Sequence, residues 1–171
     1  MAQENAMNRR RPTVLVVLSG GGFTFETKCL LRSLGEDVDF IYVSTRFGGL
    51  PGEGGLPAGE RHEVPMFQTV SQRSVRQSLY AFLATFFVTA RLLWRRKVDL
   101  VVGVGCSHTV PLFLAGCLFW KRRVFIESIT RVNDLSDTGK LVYFCRLASV
   151  FLVQWPTLSA KYPHSRVGTV L

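Results

Sequence analysis

The strongest constraint on the fold of this chain is an uninterrupted apolar run, Val14-Leu-Val-Val-Leu18. It meets Ser19-Gly-Gly-Gly22 and then a helical pattern. A continuous β-branched and leucine run is the pattern of a parallel strand covered on both faces. From Thr24 to Leu34 the apolar positions Phe25, Cys29, Leu30, Leu31 and Leu34 suit one helical face, and Gly35 ends it. Residues 38–43 form the next strand, so the chain opens as a βαβ unit.

The alternation continues. A helix is predicted over residues 71–97, a strand over 98–102, a loop over 103–109 and an apolar helix over 110–120. Strands at 124–126 and 150–153 flank a helix over 138–148. The glycine- and proline-rich segment 46–60 reads as a flexible loop. Residues 1–12 form a basic N-terminal tail, and 154–171 a proline-interrupted C-terminal tail with one more candidate strand at 167–171. The expectation is a single α/β domain over 13–171, with a Rossmann-like, mainly parallel sheet and helices on both faces.

A length of 171 residues fits one domain. A formal net charge of +9 calls for a negatively charged surface or ligand: nucleic acid, anionic lipid or a phosphorylated substrate. No nucleic-acid-binding signature is present, so nucleic acid is the poor choice. The cysteines Cys29, Cys106, Cys117 and Cys145 lie far apart without a Cys-x-x-Cys pair, and only three histidines accompany them. Free thiols of a cytoplasmic protein are expected, with no metal and no cofactor.

In sheets of this kind ligands bind beyond the carboxyl ends of the strands. That rule selects three segments. In the first, Ser19, Gly20, Gly21, Gly22 and Thr24 stand at a helix N-terminus whose N–H groups suit a phosphate or diphosphate. A capped tight turn, with Glu26 favouring the helix dipole, is the plainer reading. The dinucleotide Gly-x-Gly-x-x-Gly fingerprint fails because Phe25 occupies the third glycine position, and no Gly-Lys-Ser/Thr of a Walker loop follows. The second segment, 103–111, carries His108, placed for proton transfer or for a backbone hydrogen bond. In the third, 126–140, Glu127 follows a buried strand directly. There it pairs with Arg131, or orients a hydroxyl while Arg131 meets a phosphate oxygen.

Two apolar helices end in tryptophan and three cations, Trp94-Arg95-Arg96-Lys97 and Trp120-Lys121-Arg122-Arg123. Both are shorter than the ~20 apolar residues that span a bilayer. Tryptophan at headgroup level with cations on anionic lipid describes an interfacial contact. Two buried helices with cations complementing their dipoles are the alternative. Because both triplets precede strands, a membrane contact has to be side-on, along the helix face.

Taken together, Leu18-Ser-Gly-Gly-Gly-Phe-Thr-Phe-Glu26, Ile126-Glu-Ser with Arg131, Leu135-Ser-Asp-Thr-Gly-Lys140 and Phe151-Leu-Val-Gln-Trp155 resemble the oligosaccharide-biosynthesis family of membrane-associated glycosyltransferase subunits. The resemblance implies the N-terminal half of a GT-B glycosyltransferase, active only with a soluble, donor-binding partner subunit. It implies a polyprenyl-diphosphate saccharide as acceptor and a UDP-sugar as donor. Ser136, Gly139 and Arg131 join the glycine loop in the implied acceptor site; Gln154 and Trp155 are the implied partner contact; His108 and Glu127 are the catalytic candidates. The start of the chain, without an apolar anchor, suggests the bacterial capsule and exopolysaccharide branch, at the cytoplasmic face of the plasma membrane. Phe23 departs from the family pattern, which carries histidine after the glycines. A non-catalytic membrane scaffold that only recruits a partner is the alternative.

Overall fold

A computed structural model describes residues 10–35, 37–49, 54–67 and 75–169. In chain order the elements are β1 (Thr13–Leu18), α1 (Gly22–Leu34), β2 (Asp39–Ser44), β3 (Gly59–Glu63), α2 (Val75–Arg95) and β4 (Leu100–Val104). There follow α3 (Thr109–Leu118), β5 (Arg122–Ile126), α4 (Asp137–Phe144), β6 (Val150–Val153), α5 (Pro156–Lys161) and β7 (Arg166–Val167). The seven strands form one sheet in the order β3-β2-β1-β4-β5-β6-β7. Every pairing is parallel, with Leu15 opposite Ile41 on one side and Val101 on the other.

The continuous apolar runs are explained by helices on both faces. Val14, Val16, Leu18, Tyr42 and Val104 pack toward Leu31 of α1. Leu15, Val17, Val43, Val101 and Phe125 pack toward Leu92 and Leu93 of α2, Phe113 of α3 and Val142 of α4. The predicted Rossmann-like α/β class is the observed one.

Several boundaries differ from expectation. Part of the expected loop 46–60 forms β3, an edge strand of sequence Gly-Glu-Arg-His-Glu pairing with β2. Its polar side chains gave no periodic apolar signal. Gly59 begins it because a Cβ there would stand 2.5 Å from the Phe40 carbonyl oxygen. The expected C-terminal tail carries α5, with Pro156 in its first turn, and β7. β4 lies two residues later than predicted, and β5 begins at Arg122, inside the second basic triplet. The predicted helix start at 71–74, most of the tail 1–12 and the end of the candidate strand at 170–171 fall outside the described residues.

Candidate functional site

The strand order reverses between β1 and β4, since the chain leaves β1 toward β2 and leaves β4 toward β5. The crevice outside the carboxyl ends at such a switch point is where open α/β sheets hold ligands. The three segments chosen from sequence all follow β1, β4 or β5 and so meet at this edge.

The glycine turn has an open side. Gly20 (φ 99°) and Gly21 (φ 65°) occupy left-handed backbone that other residues avoid. Gly21 is the N-cap of α1 and supplies no side-chain cap, so the first turn keeps unpaired N–H groups. A Cβ at Gly21 or Gly22 would meet nothing within 4 Å, whereas one at Gly20 would press on Phe47 at 3.0 Å. Ser19 offers its carbonyl to Thr45 Oγ1 at 3.0 Å. Thr24 Oγ1, within the first turn of the helix, is buried with no hydrogen-bond partner.

Glu127 is held differently from either expectation. It is fully buried (0 % exposed). Its Oε1 accepts from Ser128 N at 3.0 Å, and its Oε2 accepts from both the N and the Oγ of Ser136 at 3.0 Å. Burial pushes its carboxyl up from the usual carboxylate range; these hydrogen bonds oppose the shift, with Arg131 a smaller influence. The expected pair with Arg131 does not form as a contact among the described residues, because the carboxylate turns inward and Arg131 stays exposed. Ser136 in turn caps α4, its Oγ accepting from Gly139 N at 2.9 Å. A Cβ on Gly139 would lie 2.0 Å from Glu127 Oε2. Ser136 and Gly139 therefore seat the carboxylate and the start of α4, instead of facing the cleft.

Glu26 also corrects its expected role. It lies beyond the first turn of α1 and is buried. Its carboxylate accepts from Ser128 Oγ at 2.6 Å, Ile129 N at 3.0 Å and Gln154 Nε2 at 3.1 Å. Gln154 Nε2 donates again to the Glu127 carbonyl at 3.0 Å, so this half-buried side chain braces the edge internally. Trp155 donates its indole N–H to Ile129 O at 2.6 Å while part of its ring stays exposed. Two carboxylates thus fasten the ends of β5 and β6 to α1 and α4. Sequence reasoning missed Glu26 and Gln154 as braces. The one available signal was a glutamate on a helix otherwise packed against a buried strand.

His108 sits at the carboxyl edge as predicted, but it is enclosed, with 2 % exposure. Its Nε2 donates to Pro65 O at 2.9 Å, and its ring meets Phe67 edge-on at 4.5 Å between centroids. Burial lowers its pKa, against a smaller opposing effect of the Pro65 bond, and so favours the neutral imidazole. Phe23 fills the crevice itself: a Cβ on Gly105 would lie 2.5 Å from the Phe23 ring and 3.4 Å from Ser128 Cβ. Phe23 thus touches the backbone where two of the three segments converge.

A second region stands out on α2. Its outer side exposes Leu79, Tyr80, Leu83, Phe87 (63 %) and Trp94 (80 %). Among the described residues no helix is long and apolar enough to cross a membrane. Beside it, α3 ends in a Schellman motif, with Lys121 N bonded to Gly116 O and Trp120 N to Cys117 O. Trp120, at the position glycine usually takes, has φ 53° and is 93 % exposed. Of the six expected basic contacts, Arg95, Lys97 and Arg122 are exposed and Lys121 partly so. Arg96 is exposed too but pairs with Glu60 at 2.8 Å. Arg123 turns inward and donates to the carbonyls of Leu147, Lys121 and Gly116, so it braces the α3–β5 corner.

The family profile described as "Oligosaccharide biosynthesis protein Alg14 like" matches residues 57–171. The rat UDP-N-acetylglucosamine transferase subunit ALG14 is 38% identical over 61% of this chain and 50% of its own length. The Cryptococcus neoformans subunit of that name is 32% identical over 84% of this chain and 74% of its own. The chain spans about half the length of the mammalian relatives it matches. In structure it is similar to MurG from Acinetobacter baumannii (TM-score 0.63, 19% identity, 86% of this chain and 42% of that one). It is also similar to a UDP-N-acetylglucosamine 2-epimerase (TM-score 0.64, 11% identity, 90% and 45%). These likenesses carry the fold, that of one half of a GT-B enzyme. The sequence relatives named are eukaryotic, which gives the capsule and exopolysaccharide branch no support.

Proposed function

The chain belongs to the Alg14-like family of oligosaccharide biosynthesis proteins, and from that premise we propose that it is the acceptor-binding subunit of a two-chain UDP-sugar glycosyltransferase. In this reading its acceptor is a polyprenyl-diphosphate saccharide, and the donor nucleotide is held by a partner chain. The observation that carries the reading is the glycine turn at the switch point. It offers uncapped N–H groups, room at Gly21 and Gly22, and the unpartnered Thr24 hydroxyl beneath. A diphosphate suits such a helix start, and exposed Arg131 across the cleft can meet its outer oxygens.

The work of this chain is then binding and orientation. Both expected proton-transfer groups are enclosed and engaged: Glu127 accepts from Ser128 and Ser136, and His108 bonds Pro65 through Nε2. Glu26, Glu127 and Gln154 are positioning residues, which hold the 127–136 segment so that Arg131 faces outward. In this reading the proton acceptor for the sugar hydroxyl is a group other than the enclosed His108 and Glu127. The enclosure of both candidates also favours the second reading, a scaffold that only recruits the partner.

Membrane association belongs to the same proposal, along the exposed apolar side of α2 with Trp94 and Trp120 at headgroup level. The four unpaired cysteines fit the cytosol-facing side of that membrane.

The test is sugar transfer with a lipid-diphosphate acceptor. The chain alone is expected to be inactive, and addition of the donor-binding chain to restore turnover. Gly22→Val, whose Cβ would meet no neighbour within 4 Å, should raise the acceptor KM about tenfold or more with folding unchanged. Robust turnover by the chain alone would overturn the two-subunit proposal, and an unchanged acceptor KM would favour the scaffold.

A further inference from the structure

We propose that the groove between β3 and the C-terminal half of α2 binds the phosphate of an anionic phospholipid headgroup. The inference rests on the membrane reading above and adds a built site to it. His62, Glu60, Leu92, Arg91, Arg95 and Arg96 line this groove. A second, apolar groove runs beside it, lined by Phe87, Ala90, Trp94 and Phe119, and Arg91 and Arg95 border both. A phospholipid has the same two-part shape, a charged phosphate next to an acyl chain.

The charges leave the site a net cation. Glu60 is already engaged, by Arg96 at 2.8 and 3.0 Å and by His62 at 2.9 Å. Arg91 and Arg95 form no ion pair with a carboxylate among the described residues. They stand four apart on one helix, a spacing at which like charges repel unless an anion lies between them. A guanidinium fork meets phosphate oxygens in pairs, which a lysine cannot reproduce. Diffuse attraction would need only charge; this arrangement offers geometry as well.

The experiment is co-sedimentation of the full chain with vesicles of phosphatidylcholine alone, or of phosphatidylcholine and phosphatidylglycerol in equal amounts. Wild type should prefer the anionic vesicles. Arg91→Gln with Arg95→Gln should lose about thirtyfold of that binding, the scale for removing two cations from a membrane surface. Arg91→Lys with Arg95→Lys keeps both charges and should still lose about fivefold. Lys121→Gln with Arg122→Gln, outside the groove, should lose less than the glutamine pair. Equal losses for the two glutamine pairs, with the lysine pair at wild-type level, would show diffuse attraction and overturn the site. Arginine-dependent binding of inorganic phosphate without binding to either vesicle would assign the groove to a soluble ligand, overturning the lipid. Failure to bind any vesicle, with no phosphate effect, would sink the membrane reading along with this one, while transfer to a detergent-solubilised acceptor would still stand.

Discussion

The carboxyl edge of the sheet and the outer side of α2 invert the usual distribution of side chains in opposite directions. At the edge, Glu26, Glu127, Ser128 and Ser136 are polar and buried, each satisfied by the others or by backbone N–H groups. On α2, Leu83, Phe87 and Trp94 are apolar and exposed. Buried carboxylates are costly unless hydrogen-bonded, so the edge is a fixed frame. An exposed apolar stripe gains free energy only when something covers it, so the α2 side is a surface awaiting contact. The first region holds stability; the second is where the proposed membrane contact lies.

Glu127→Ala should break this division most strongly. It strands Ser128 N, Ser136 N and the Ser136 hydroxyl, and should lower unfolding free energy by about 3–5 kcal/mol in urea titration. A cost below about 1 kcal/mol would mean that water replaces the carboxylate and the frame is not fixed. Leu83→Glu with Phe87→Glu should show the reverse pattern: stability within about 0.5 kcal/mol of wild type, and vesicle binding reduced on the order of a hundredfold. A large stability loss there would show that the stripe belongs to the core.

The smallest effect sharpens the comparison through pH. The folded His108 has a lowered pKa, so the unfolded chain binds the proton more tightly. Stability should therefore fall as pH drops below the ordinary histidine value of about 6.5, by at most roughly 1.4 kcal/mol per pH unit. Glu127, with a raised pKa, acts with the opposite sign, its contribution declining as pH rises above the ordinary carboxylate range. His108→Ala should flatten the acid-side slope; an unchanged slope would assign it to other groups.

Local pattern made β1, α1, β2, α3 and β6 legible, because continuous apolar runs, helical periodicity and Gly35 all act within a few residues. β3 was hidden because its evidence is its pairing with β2, and its own side chains are polar. α5 was hidden by Pro156, which reads as a break yet suits a helix start. The site was legible as three segments and illegible in its wiring. The Glu26 carboxylate meets Ser128 and Gln154 from 102 and 128 residues further along the chain, and no spacing in the chain encodes such a bond. His108 was legible in position only; the strand end that covers it comes from 43 residues away.

The left-handed turn at Trp120 has a consequence for anyone selecting hardier variants. A residue with a Cβ gives up roughly 1–2 kcal/mol in that conformation, which glycine would return. A screen that scores heat resistance in detergent-free buffer would discard this tryptophan early and count the loss as progress. The most exposed tryptophan among the described residues would vanish from the lineage, and with it one anchor of the proposed lipid contact.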